Sequence, residues 1–73
     1  MHPKELKTKW SLTFTQLALF LGKSEQTVVK YCAPAHASTH IEPGADIIGK
    51  CWLLNYYFER EGGVRPMPFL FAA

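Results

Sequence analysis

The sequence has too few cysteines for a disulfide scaffold, too little charge for a disordered chain and no apolar run long enough to cross a bilayer. Cys32 and Cys51 make at most one bridge, and a reducing compartment keeps both as thiols. Charged residues are only 19% of the chain and hydrophobic ones 48%, a balance that favours a packed core over disorder. The longest unbroken apolar runs, 17–21 and 66–73, fall far short of the roughly 20 residues that span a membrane. Met1-His2-Pro3-Lys4-Glu5 carries positive charge, but neither an apolar core nor a small-residue cleavage site follows. No secretory signal is therefore expected, and the cytoplasm is the expected compartment. With 73 residues, the chain has room for one small domain that buries only about 60% of its surface. A second domain, a large cleft and multi-step enzyme chemistry are not expected.

The small net charge of +2 is unevenly placed. Residues 1–31 hold Lys4, Lys7, Lys9, Lys23 and Lys30 against Glu5 and Glu25, a net of +3. Residues 32–73 hold Lys50, Arg60 and Arg65 against Glu42, Asp46, Glu59 and Glu61, a net of −1. The basic character thus belongs to the first half, where it suits an anionic partner or an ordinary solvated face.

Helix signals follow one another closely. Pro3 suits a first turn, and Leu6 and Trp10 share one face, so residues 3–10 read as a short amphipathic helix. Thr13 followed by Gln16 is a capping box, with Leu12 and Leu17 placed as a hydrophobic staple, so a second helix runs Phe14 to Leu21 and stops at Gly22. Ser24 caps a third helix that begins at Glu25 and ends near Cys32, because Pro34 disfavours helical geometry in the residue before it. Residues 33–41 have no clear period and read as a loop or an irregular turn. The longest helix, 44–60, opens at Glu42-Pro43-Gly44-Ala45-Asp46. It carries the stripe Ile47, Cys51, Leu54 and Phe58, with a second stripe of Ile48, Trp52 and Tyr56, and closes at Gly62-Gly63. Gly49 inside it implies a neighbouring backbone packed close. Prolines at alternate positions in the apolar tail, 64–73, imply extended chain. The expected fold is all-α: a compact four-helix domain, 1–73, with a tri-helical core and an extended apolar C-terminal tail.

The second and third helices, joined by Gly22-Lys23-Ser24, have the spacing of a helix-turn-helix motif over 14–33. Counted from Phe14, the fifth position is Ala18, small enough for a crossing helix, and the ninth is Gly22, able to take positive φ in the turn. Leu17, Leu21, Val28 and Tyr31 supply the apolar wedge. The stretch from Leu12 to Tyr31 resembles the Cro/CI-like (XRE-type) helix-turn-helix family, and more remotely the small phage excisionase and Cox-type regulators, over about 20 of the 73 residues. That resemblance implies sequence-specific binding of double-stranded DNA by a small prokaryotic or phage-type transcriptional regulator, with the third helix in the major groove. Glu25, Gln26, Val29 and Lys30 would then face base edges, Gln26 suiting adenine, Val29 a thymine methyl and Glu25 cytosine. Thr13, Thr15, Lys23, Ser24 and Thr27 would bind phosphate oxygens. The family's usual Gln at the first motif position is Phe14 here, and the capping box engages Gln16. Lys4, Lys7, Lys9 and Lys23 become the candidate replacements.

Several alternatives remain beside this reading. A three-helix unit of this shape also serves proteins that bind only other proteins. Cys32, His36, His40 and Cys51 form a Cys2His2 set that can hold zinc, although Cys32 to His36 is not a standard ligand spacing and Cys51 falls on the apolar stripe. The plainer reading places Cys51 in the core and the histidines in a loop near the groove. Cys32 paired with His36 or His40 lacks a supporting oxyanion-type loop, and Ser24 lacks a base, so no catalysis, cofactor or small-molecule substrate is expected. Trp52, Tyr56, Tyr57, Phe58, Met67, Phe69, Leu70 and Phe71 exceed what one small core needs. They either finish that core or pair two copies into a homodimer through the C-terminal helix and tail.

Overall fold

Four helices organise the residues that the computed structural model describes, 1–65: α1 Pro3–Trp10, α2 Phe14–Leu21, α3 Glu25–Cys32 and α4 Ala45–Glu61. No strand occurs among the described residues. Local chemistry accounts for each boundary. The Gln16 N–H donates to Thr13 Oγ1 (3.0 Å) and the Thr13 N–H donates to Gln16 Oε1 (2.9 Å), closing the box that starts α2. Gly22 ends it at φ +67°, the left-handed conformation that glycine adopts without steric cost. Ser24 Oγ accepts from the Thr27 N–H (3.2 Å) and opens α3. At α1 the capping residue is His2, whose Nδ1 accepts from the Lys4 N–H (3.1 Å) while Glu5 accepts from the His2 N–H (3.2 Å). Histidine is not among the usual capping types, so the sequence did not announce this box.

The core forms where the four helices meet. Leu17, Ala18, Leu21, Val28 and Tyr31 are buried, as the motif spacing requires, together with Leu6, Leu12 and the stripe Ile47, Cys51, Leu54 and Phe58. Phe58 is the hub. Its ring meets Trp10 (centroids 5.5 Å apart) and Phe20 (5.2 Å) edge-on, an arrangement that aromatic quadrupoles favour. A polar tie runs alongside: Trp10 Nε1–H donates to Asn55 Oδ1 (3.0 Å), Asn55 donates to Glu59 (3.4 Å), and the Lys9 ammonium pairs with Glu59. α1 is thereby fastened to α4 by both apolar and polar contacts.

Three expectations need revision. α4 lies one residue further along the chain than 44–60, because Gly44 is its cap rather than its first helical residue. Gly49 has no close neighbour: a Cβ there would meet nothing within 4 Å, since the residue sits on the side of α4 turned away from the core. Finally, the second stripe does not join the core. Ile48 is half-buried, but Trp52 and Tyr56 are 57% and 62% exposed. The extended tail expected over 64–73 falls mostly outside the described residues, which include only Val64, packed against the core, and Arg65. No helix among the described residues is long and apolar enough to cross a membrane.

Candidate nucleic-acid interface

The outer face of α3 is fixed by what its inner face buries. Val28 and Tyr31 are inward and buried, so at about 100° per residue Glu25, Gln26, Val29 and Lys30 turn outward. All four are exposed, and all four line one open groove of about 560 Å³ together with Ala33 and Thr39. Gln26, Val29 and Lys30 offer an amide, a methyl surface and a cation side by side.

Thr39 and Ala33 belong to a wall that the sequence did not foretell. The Ile41 N–H donates to the Lys30 carbonyl (3.2 Å), so the segment after α3 folds back along the end of that helix. The His40 ring secures it, with Nδ1 contacting the Ala33 carbonyl (2.9 Å) and Nε2 contacting the Glu42 carboxylate (2.7 Å). Both partner atoms are acceptors, and only the doubly protonated ring donates to both. The bond to Glu42, aided by the Ala33 carbonyl, accordingly raises the His40 pKa above the ordinary histidine value against the opposing effect of burial.

The residues expected to reach phosphate divide by what already occupies them. The Thr15 hydroxyl donates to the Glu25 carboxylate, tying the start of α2 to the start of α3. Each of these two residues thus spends polar capacity on the other, and Glu25 holds a partner at the place where a cytosine edge was expected. Thr13 Oγ1 accepts a backbone bond, which leaves its hydroxyl hydrogen to donate outward. Ser24 and Thr27 share one hydroxyl contact at 2.9 Å, so one of their two hydroxyl hydrogens is left to donate outward. Lys23 is exposed.

Among the candidate replacement lysines, Lys9 is committed to Glu59. Lys7 holds its ammonium 4.6 Å from the centroid of the Phe14 ring, which places a cation at the first motif position, where an amide was lacking. Lys4 and Lys7 both lie near enough to Cys32 to lower its thiol pKa, although burial outweighs them and leaves it raised. Lys50 serves the fold instead. Its ammonium donates to the Leu21 carbonyl (3.3 Å), supplying the last turn of α2 with the positive charge its own sequence lacks.

The chain's metal-ligating residues do not gather. Among the described residues, no three His, Cys, Asp or Glu side chains come together as a group that could hold a metal ion. Cys51 is wholly buried in the core, where desolvation pushes its thiol up to about 11, and His40 is occupied by Ala33 and Glu42. No protein-family model, curated protein or solved structure matches this chain.

Proposed function

We propose that this chain is a small helix-turn-helix DNA-binding protein that presents α3 to the major groove, in the manner of a prokaryotic or phage-type transcriptional regulator. The observation that carries this reading is the common exposure of Gln26, Val29 and Lys30 on one side of α3 while Val28 and Tyr31 hold the other side in the core. Gln26 suits an adenine edge, Val29 a thymine methyl, and Lys30 a guanine edge or a phosphate. Thr13, Lys23, the Ser24–Thr27 pair and Lys7 supply donors and cations for phosphates on either side.

Titration of random duplex DNA at low and moderate salt tests the proposal. Affinity should fall steeply as salt rises, with a log–log slope of roughly −0.9 for each phosphate contact. An absence of binding at low salt would sink it. Replacing Gln26 and Lys30 together by alanine should remove sequence preference and leave the thermal melt unchanged, because both side chains are exposed.

One observation favours a second reading, a protein-interaction module. The face of α3 is one wall of a concavity closed by Thr39 and Ala33, a shape that accepts a peptide segment. A salt-independent failure to bind duplex DNA would select that reading.

A further inference from the structure

α4 has two faces, and the inner one alone accounts for its core contacts. Ile47, Cys51, Leu54 and Phe58 point inward and are buried. The opposite side carries Gly49, Trp52, Leu53 and Tyr56, and the three large side chains there are 57%, 43% and 62% exposed. Scattered apolar exposure is normal on small proteins, but three large groups around one bare glycine are a contiguous feature. At about 100° per residue, Gly49 and Tyr56 lie within about 20° of each other around the helix axis, and Asp46 and Arg60 within about 40°. Asp46 at the start of the face and Arg60 at its end are exposed, and neither has an ion-pair partner among the described residues.

We propose that this outward face of α4 is a self-association surface on which two copies of the chain pair antiparallel about a two-fold axis at Leu53. The spacing carries the choice of a second copy as occupant. Asp46 and Arg60 are each seven residues from Leu53, so the two-fold sets Asp46 beside the partner's Arg60 at both ends of the contact. The same operation sets position 56 opposite the partner's position 50, so the Tyr56 ring lies one residue, about 1.5 Å along the helix, from the partner's Gly49, whose missing side chain leaves open space beside it. Leu53 meets its own counterpart on the axis, and Trp52 falls one residue from it along the helix. Charge and shape are thus complementary under one symmetry operation, as an isologous interface demands. This inference is independent of what α3 binds. A contact limited to one helix of 17 residues sits at or below the lower end of stable interface sizes, about 1,200 Å², so the pair dissociates in roughly the micromolar range.

Sedimentation velocity of the full chain from about 1 to about 300 μM tests the proposal, and the expected result is a concentration-dependent monomer–dimer equilibrium. Asp46→Arg and Arg60→Asp should each weaken the dimer on the order of tenfold by replacing two attractions with two repulsions, and combining them should restore it to within about threefold. Gly49→Gln should abolish the dimer by filling the space for the ring while raising the melting temperature, because glutamine is the better helix former. That rise separates lost association from lost folding. A monomer throughout the concentration range would overturn the proposal. So would a dimer indifferent to Gly49→Gln, or charge reversals whose combination is no better than either alone.

Discussion

Glycines of opposite kinds sit at residues 22 and 49. Gly22 holds φ +67° in the turn between α2 and α3, and an added Cβ there would be strained whatever the space. Gly49 has ordinary helical backbone, and an added Cβ would meet nothing. Gly49→Ala should therefore stabilise the fold by about 0.5–1 kcal/mol, and Gly22→Ala should destabilise it by about 1–2 kcal/mol. Urea denaturation of the two variants checks both signs. The sequence revealed the first glycine and misled on the second, for a physical reason. A turn glycine is recognisable from the helix signals flanking it, whereas a glycine inside a helix has two explanations, close packing or bare solvent, and local sequence does not distinguish them. The Thr15–Glu25 and Lys50–Leu21 bonds were hidden for a related reason: they join residues 10 and 29 apart, and no periodicity links such positions.

Helices and loops differ in how much of their structure is local. The capping box and terminal glycine of α2, the Ser24 cap of α3 and the buried stripe of α4 all follow from residues within a few turns of one another, so their bounds could be read to within about one residue. Outward residues of α3 could be read the same way, because knowing that Val28 and Tyr31 are inward fixes the rest. The segment from Ala33 to Gly44 has no such code. Its placement against α3 depends on His40, whose ring reaches the Ala33 carbonyl and the Glu42 carboxylate, and on the Ile41 N–H reaching back to Lys30. Because the folded His40 pKa is raised, its stabilising contribution is fully present below the unfolded value of about 6.5 and is lost as pH rises through the folded value. Amide exchange in residues 37–42 should therefore quicken relative to the core as pH is raised across that window, after correction for the intrinsic exchange rate. His40→Ala should remove the extra pH dependence, and an unchanged profile in that variant would show that the segment is held by its backbone bonds alone.

For the whole molecule, size is the controlling quantity. A domain of about 70 residues has few core side chains to share a total stability of about 5–15 kcal/mol at most, so the loss of one hub is felt everywhere. Phe58 is that hub, fully buried in α4 and in ring contact with Trp10 of α1 and Phe20 of α2. Phe58→Ala should cost about 3–5 kcal/mol through lost burial and the cavity left behind, enough to leave a substantial unfolded fraction at room temperature. Phe58→Leu keeps more of the volume but forfeits both edge-on ring contacts, each worth about 0.5–1.5 kcal/mol beyond its buried area. Its melting temperature should fall between those of the alanine variant and the wild type. Trp10 reports on the same event: its indole N–H bonds Asn55 one turn before Phe58, so its fluorescence should shift with global unfolding in the wild type. If the Trp10 indole N–H, bonded to Asn55 in the wild type, lost its protection from hydrogen exchange in Phe58→Leu while far-UV helicity stayed intact, α1 would be detaching by itself. In that case the Trp10–Asn55 and Lys9–Glu59 contacts would be too weak to hold α1 without the aromatic ring, and the tri-helical unit would depend on α4 for its first helix as well as its core.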